Sequence, residues 1–97
     1  MYAIAIIRYR RPVEEVLPIV DAHRAYLKSL KDQKILIASG PCEPRFGGAL
    51  LLRMSDETFD QQLLSIRDGD PFVQTGVAQY ELLPWKPVIG VEDLDKI

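Results

Sequence analysis

Apolar residues recur along this chain at two spacings, and the switches between them mark out its elements. From Tyr2 to Tyr9 the run YAIAIIRY is rich in β-branched and aromatic residues and stops at Arg10-Arg11-Pro12, which predicts a strand. Both faces of that strand are apolar, with Tyr2, Ile4 and Ile6 on one and Ala3, Ala5, Ile7 and Tyr9 on the other, so each side calls for a cover. The period then lengthens. Pro18 suits the first turn of a helix, and Ile19, His23, Tyr26 or Leu27, and Leu30 follow at helical spacing until about Asp32. Glu14 and Glu15 ahead of this helix and Lys28 and Lys31 near its end complement its dipole, while Asp21 and Arg24 can pair on its wet side. Val13 to Leu17 reads as a preceding helical turn.

Alternation returns at Ile35 to Ser39, ahead of Gly40-Pro41, and again at Ala49 to Met54, beyond a Gly- and Pro-rich loop from Pro41 to Gly48. Ser55 fits an N-cap, Asp56 and Glu57 fit a first turn, and Phe59, Leu63 and Ile66 form the apolar stripe of a second helix to about Arg67. Asp68-Gly69-Asp70-Pro71 stops it, a short turn runs from Phe72 to Gly76, Val77 to Leu83 reads as the last strand, and Lys86 to Ile97 reads as a tail. This βαββαβ order predicts the ferredoxin-like fold of the α+β class, a four-stranded antiparallel sheet with two helices on one face. The other face would be bare. Its apolar residues predict burial against a second copy, hence a homodimer.

Composition narrows the function classes. A chain of 97 residues, without internal repeats, suits a single domain spanning 1–97. Its 47% hydrophobic and 27% charged residues are those of a globular protein, not a disordered one. With 12 Lys and Arg against 14 Asp and Glu the net charge is -2, which leaves no surplus to neutralise phosphates and argues against nucleic acid as a partner. A lone cysteine, Cys42, excludes an intrachain disulfide, and no Cys and His spacing builds a metal site, so a reducing, cytoplasmic setting is expected. The amino end has neither a basic lead nor a cleavage site, and no apolar run approaches the ~20 residues that cross a bilayer, so no membrane association is expected.

Few residues can carry chemistry. His23 is the only histidine and falls on the apolar stripe of the first helix, either as a hydrogen-bonded core imidazole or as an acid or base. Asp70 precedes Pro71 in a turn, where a capping role explains it; yet the turn after the second helix of this fold can return beside the first, bringing a carboxylate to the imidazole. Asp68 raises the same choice. Ser39-Gly40-Pro41 could orient a ligand or simply turn the chain, and Arg8 could reach an anion or merely solvate an edge. Cys42 would need a base and a lowered pKa to act as a nucleophile. Phe72, Tyr80 and Trp85 are read as core or interface aromatics. Gly40, Gly47 and Gly48 lack the spacing of a phosphate loop, and no cofactor is expected.

The segments DAHRAYLKSL, ILIASGP and DGDPFVQTGVAQYELLPW resemble, in order and spacing, the YCII-related (YciI-like) family over nearly the whole chain to Trp85. That resemblance implies a dimeric α-β barrel similar to muconolactone isomerase, with a site built from the helix histidine, His23, and the aspartate before Pro-Phe, Asp70. It also implies a serine at Ser39 and an apolar pocket including Pro71 and Phe72. Some members are cofactor-free lyases that remove hydrogen halide from chlorinated aromatics. The expectation is therefore a cofactor-independent lyase or isomerase in which His23 moves a proton on a small organic molecule and Asp70 supports it. The alternative is a non-catalytic dimeric binding or regulatory module. A cofactor-free oxygenase has only fold analogy behind it.

Overall fold

The computed structural model describes residues 1–97. Its strands are β1 (Tyr2–Tyr9), β2 (Leu36–Pro41), β3 (Gly47–Arg53) and β4 (Ala78–Trp85), and its helices are α1 (Val13–Val16), α2 (Val20–Asp32), α3 (Phe59–Gly69), α4 (Pro71–Gln74) and α5 (Val91–Asp95). The strand with two apolar faces, β1, lies inside an antiparallel sheet of order β2-β3-β1-β4, paired on both sides. Pro84, which has no N–H to give a ladder, stands on the edge strand β4, where such a residue is tolerated.

Alternation along β1 divides the sheet. Ala3, Ala5 and Ile7 point to the helices together with their cross-strand neighbours Leu52 and Leu50, and all are buried. The alanines matter because a bare methyl on the central strand lets the helices close on the sheet. Leu27 and Leu30 of α2 and Phe59, Leu63 and Ile66 of α3 complete that core, each contributing about 1.5–3 kcal/mol of hydrophobic stabilisation. The stripes expected from the sequence are the stripes that are buried.

Helical backbone begins at Val13, in the turn expected ahead of the first long helix, and α1 and α2 are joined by a 3-10 turn over Leu17–Ile19, which accommodates a proline that lacks an N–H. Elsewhere the structure departs from the sequence expectations. Asp21 and Arg24 form no ion pair, and the charges stay solvated. Ser55 precedes a 3-10 turn (Asp56–Thr58) without capping it by its side chain, and its hydroxyl meets that of Thr58 instead. The supposed tail carries α5, which returns to the sheet: the Tyr2 hydroxyl donates to Asp95 at 2.6 Å, and Arg53 donates to the carbonyls of Leu94 at 3.0 Å and Ile97 at 2.5 Å. Tyr2 and Arg53 face each other across β1 and β3, so α5 covers one end of the sheet face that lacks helices.

Two details of packing aim the side chains discussed below. The β2–β3 register slips between Leu36 and Ala38, so Ser39, three residues after the buried Leu36, again stands opposite the core residue Leu50. Without that bulge strict alternation would turn Ser39 to the other face. In addition, the Tyr26 hydroxyl of α2 donates to the Ile66 carbonyl of α3 at 2.6 Å, against Gly69, where a Cβ would come within 2.7 Å of that hydroxyl oxygen.

Candidate functional site

Asp70 ends α3 and starts α4. Its backbone leaves the helical region, Pro71 occupies the first turn of α4, and one carboxylate oxygen accepts the Phe72 N–H at 2.9 Å. The capping role foreseen from the sequence is therefore present, but it uses only part of the group. The same carboxylate, fully buried, accepts His23 Nδ1 at 2.9 and 2.8 Å and the Tyr80 hydroxyl. A carboxylate accepts and does not donate, so Nδ1 carries a proton, and in the neutral imidazole Nε2 is then the nitrogen with the free lone pair.

That second nitrogen has somewhere to point. No buried side-chain nitrogen or oxygen in the protein lacks a partner, and Nε2 has none, so Nε2 reaches a surface. His23 also lines a cavity of about 290 Å³ between α2 and the β2–β3 side of the sheet, walled by Leu27, Ser39, Ile7 and Phe72 among others. Phe72 stacks on the imidazole with ring centres 3.9 Å apart and planes 5° apart, and Tyr9 meets Phe72 edge-on at 6.1 Å. The ring is thus fixed by Asp70 at one nitrogen and by Phe72 across its face.

The structure brings His23, Asp70, Phe72 and Ser39 together and leaves two other candidates apart. Arg8 lies on the opposite face of the sheet, paired with Glu81 at 3.2 Å and with its guanidinium 5.3 Å from the centre of the Phe46 ring. It does not line the cavity; odd and even positions of β1 face opposite ways, and Arg8 has the parity of Ile4 and Ile6. Pro71 shapes the turn that presents Asp70, also away from the cavity wall. Cys42, half-buried at the start of the β2–β3 loop, is likewise not on that wall. No group of three or more His, Cys, Asp and Glu side chains is gathered that could hold a metal ion.

Tyr80 was legible only as an aromatic. Its parity with Ala78 and Leu82 predicts that it faces inward, and a buried phenol needs a partner, which is the signal that could have tied it to Asp70. Burial, then the Asp70 charge and hydrogen bond, push the Tyr80 hydroxyl far above its ordinary value; burial and then the charges of Asp70 and Asp68 raise Tyr26. Both tyrosines therefore hold their protons more tightly folded than unfolded. Their contribution to stability is complete below the unfolded value near pH ~10 and declines as pH rises above it. Tyr80→Phe is expected to cost about 1.5–3 kcal/mol at neutral pH, by leaving a carboxylate short of a donor, and to flatten the alkaline fall in Tm above pH ~10. Thermal melts of both proteins from neutral pH upward measure this, and identical curves would contradict the bond to Asp70.

A ferredoxin-like α+β domain with an imidazole fixed by a buried carboxylate at the wall of a small cavity is the class that this geometry defines. The chain belongs to the YCII-related domain family, whose model matches residues 1–86. A search of the curated proteins found no match. Among solved structures the fold is similar to that of 5-chloro-2-hydroxyhydroquinone dehydrochlorinase (TftG) from Burkholderia phenoliruptrix AC1100, in complex with 2,5-dihydroxybenzoquinone. The TM-score is 0.70 and the identity 22%, over 91% of this chain and 96% of that one. No helix is long and apolar enough to cross a membrane.

Proposed function

We propose that this protein is a cofactor-independent lyase or isomerase acting on a small cyclic, enolisable molecule, with His23 as the proton-transfer group. The observation that carries the reading is the arrangement of one imidazole: Nδ1 is held by buried Asp70, Nε2 has no partner in the protein, and the residue lines the cavity. Nε2 takes a proton from a ring hydroxyl or from a carbon next to a carbonyl, leaving the electron pair on the substrate, and Asp70 stabilises the imidazolium so formed. If a chloride sits on a saturated carbon conjugated to that anion, the pair expels it, and the products are the unsaturated ring, the halide and the proton; where the chloride sits on an aromatic carbon, His23 first returns the proton to that carbon, and loss of a second hydroxyl proton then expels the halide and leaves a quinone. Without a leaving group, His23 returns the proton to another carbon and the ring is isomerised. Support comes from the similar fold of a dehydrochlorinase, from family membership, and from the Phe72 and Leu27 walls, which suit a flat organic ring.

Chlorinated hydroquinones, halogenated phenols and enol-lactones incubated with the purified protein test this directly, with chloride release and loss of the ring chromophore as readouts. Turnover of at least one class that disappears with His23→Asn is expected. Binding without turnover across the set favours a binding module.

The same reading includes a homodimer. Ile4, Ile6 and Leu51 on the helix-free face are half-buried, Leu83 and Trp85 are about 40% exposed, and a patch of this kind is seldom left to water in a monomer. With α5 over one end, the remaining face is the part available to a second copy. Ile6→Glu is expected to weaken the dimer by ~10²-fold or more, since a charge would be buried at the centre of the contact. Sedimentation equilibrium reads the effect; a wild-type chain that stays monomeric at micromolar concentrations and above defeats the proposal.

A further inference from the structure

Beyond the imidazole, the charge on the cavity wall has a sign. Arg24 and Arg45 both line the cavity, and no Asp or Glu does. Neither arginine forms an ion pair or a side-chain hydrogen bond within the protein, in contrast to Arg8, Arg53 and Arg67, all of which do. A second hollow of the same size, about 290 Å³, shares Arg24, Leu27 and Ser39 with the first and continues along the α2–β2 edge, where Lys28 and Lys31 rim it, again without an acid. A chain of net charge -2 has thus gathered four cations, Arg24, Lys28, Lys31 and Arg45, on the walls of two adjoining hollows that share Arg24, Leu27 and Ser39. An unopposed positive rim over low-dielectric walls concentrates anions.

We infer that the ligand of this site is a carboxylate-bearing ring, bound with its flat body against the His23–Phe72 wall and its carboxylate at Arg24 and Arg45. The inference rests on the proposed site reading and adds the substrate class. A guanidinium offers donors in a fork that matches a carboxylate, and arginines without internal partners keep those donors available. A carboxylate conjugated to a ring keeps the ligand planar, as the stacked wall requires. The cavity, at the lower limit of ordinary ligand pockets (~300–1,000 Å³), suits one ring and not a nucleotide. Lys28 and Lys31 would draw the anion toward the opening.

The single histidine makes the test specific, because its imidazole signals in an NMR spectrum come only from this site. 2,5-Dihydroxybenzoate and its neutral counterpart 2,5-dihydroxybenzamide are titrated into wild type, Arg45→Gln and Arg24→Gln at low and high salt, following the His23 ring signals. The benzoate is expected to shift them at about tenfold lower concentration than the amide. That preference should shrink below about threefold in either variant, and in wild type at high salt. Both arginines are exposed, so both variants should fold. Equal shifts by benzoate and amide overturn the carboxylate assignment while leaving a ligand site at His23. Benzoate binding that leaves the His23 signals in place, or that survives both substitutions unchanged, overturns it as well. If neither compound moves the His23 signals, the assignment falls together with the ligand cavity itself.

Discussion

Replacing His23 by Asn is expected to lower turnover by about 10³-fold on any substrate found, with the fold retained, because an amide of similar size can still meet Asp70 but cannot exchange a proton near neutral pH. The Asp70→Asn protein should lose less activity, about 10²-fold, and more stability, about 2 kcal/mol. One amide oxygen would replace a carboxylate that now accepts from His23, Phe72 and Tyr80, so donors compete for it. The amide also removes the charge that favours the imidazolium. Rates for each variant at several pH values, with melts at the same pH, separate the two effects. Wild-type turnover by His23→Asn would show that the histidine does not move the proton; an unfolded variant would show that its role is structural.

Gly47→Ala should be the most damaging substitution outside the pair. Gly47 starts β3 with φ 154°, and a Cβ there would lie 1.7 Å from the Ile7 carbonyl oxygen, a backbone atom that cannot rotate away. Either β3 must leave β1 at the Arg8–Gly47 end of the ladder or the strand must bend, at a cost of about 4 kcal/mol. For a chain of this size that lowers Tm by roughly 15 °C or more. Since Gly47, Gly48 and Ile7 also wall the cavity, ligand binding should weaken in the same variant. Gly40→Ala is the control: nothing lies within 4 Å of a Cβ at that position, and its melt should stay near that of wild type. A Gly47→Ala protein that melts within about 3 °C of wild type would refute the close pairing.

The sheet and its two long helices were legible because each rests on a period: alternation at Tyr2–Tyr9, helical spacing at His23, Leu27 and Leu30, and again at Phe59, Leu63 and Ile66. The meeting of His23 with Asp70 followed from topology together with family resemblance. What stayed hidden has no local signature. The slip between Leu36 and Ala38 depends on pairing with a distant strand, and it alone decides which way Ser39 faces. The docking of α5 depends on Tyr2 and Arg53, each more than 40 positions away. Arg8 shows the reverse error: a charge among apolar neighbours invites a binding role, yet strand parity sends it to the other side of the sheet.

Two bolts hold a plate where one would leave it free to swivel. His23–Asp70 joins α2 to the turn after α3, and Tyr26–Ile66, close by along both helices, joins the same two elements again. With both in place a roll of α2 must break two hydrogen bonds rather than one, so the direction of the His23 ring depends on the scaffold as well as on its carboxylate partner. Loosening the Tyr26 bolt, by Tyr26→Phe or by a methyl at Gly69, would then blur the aim of Nε2 without touching a single atom of the cavity.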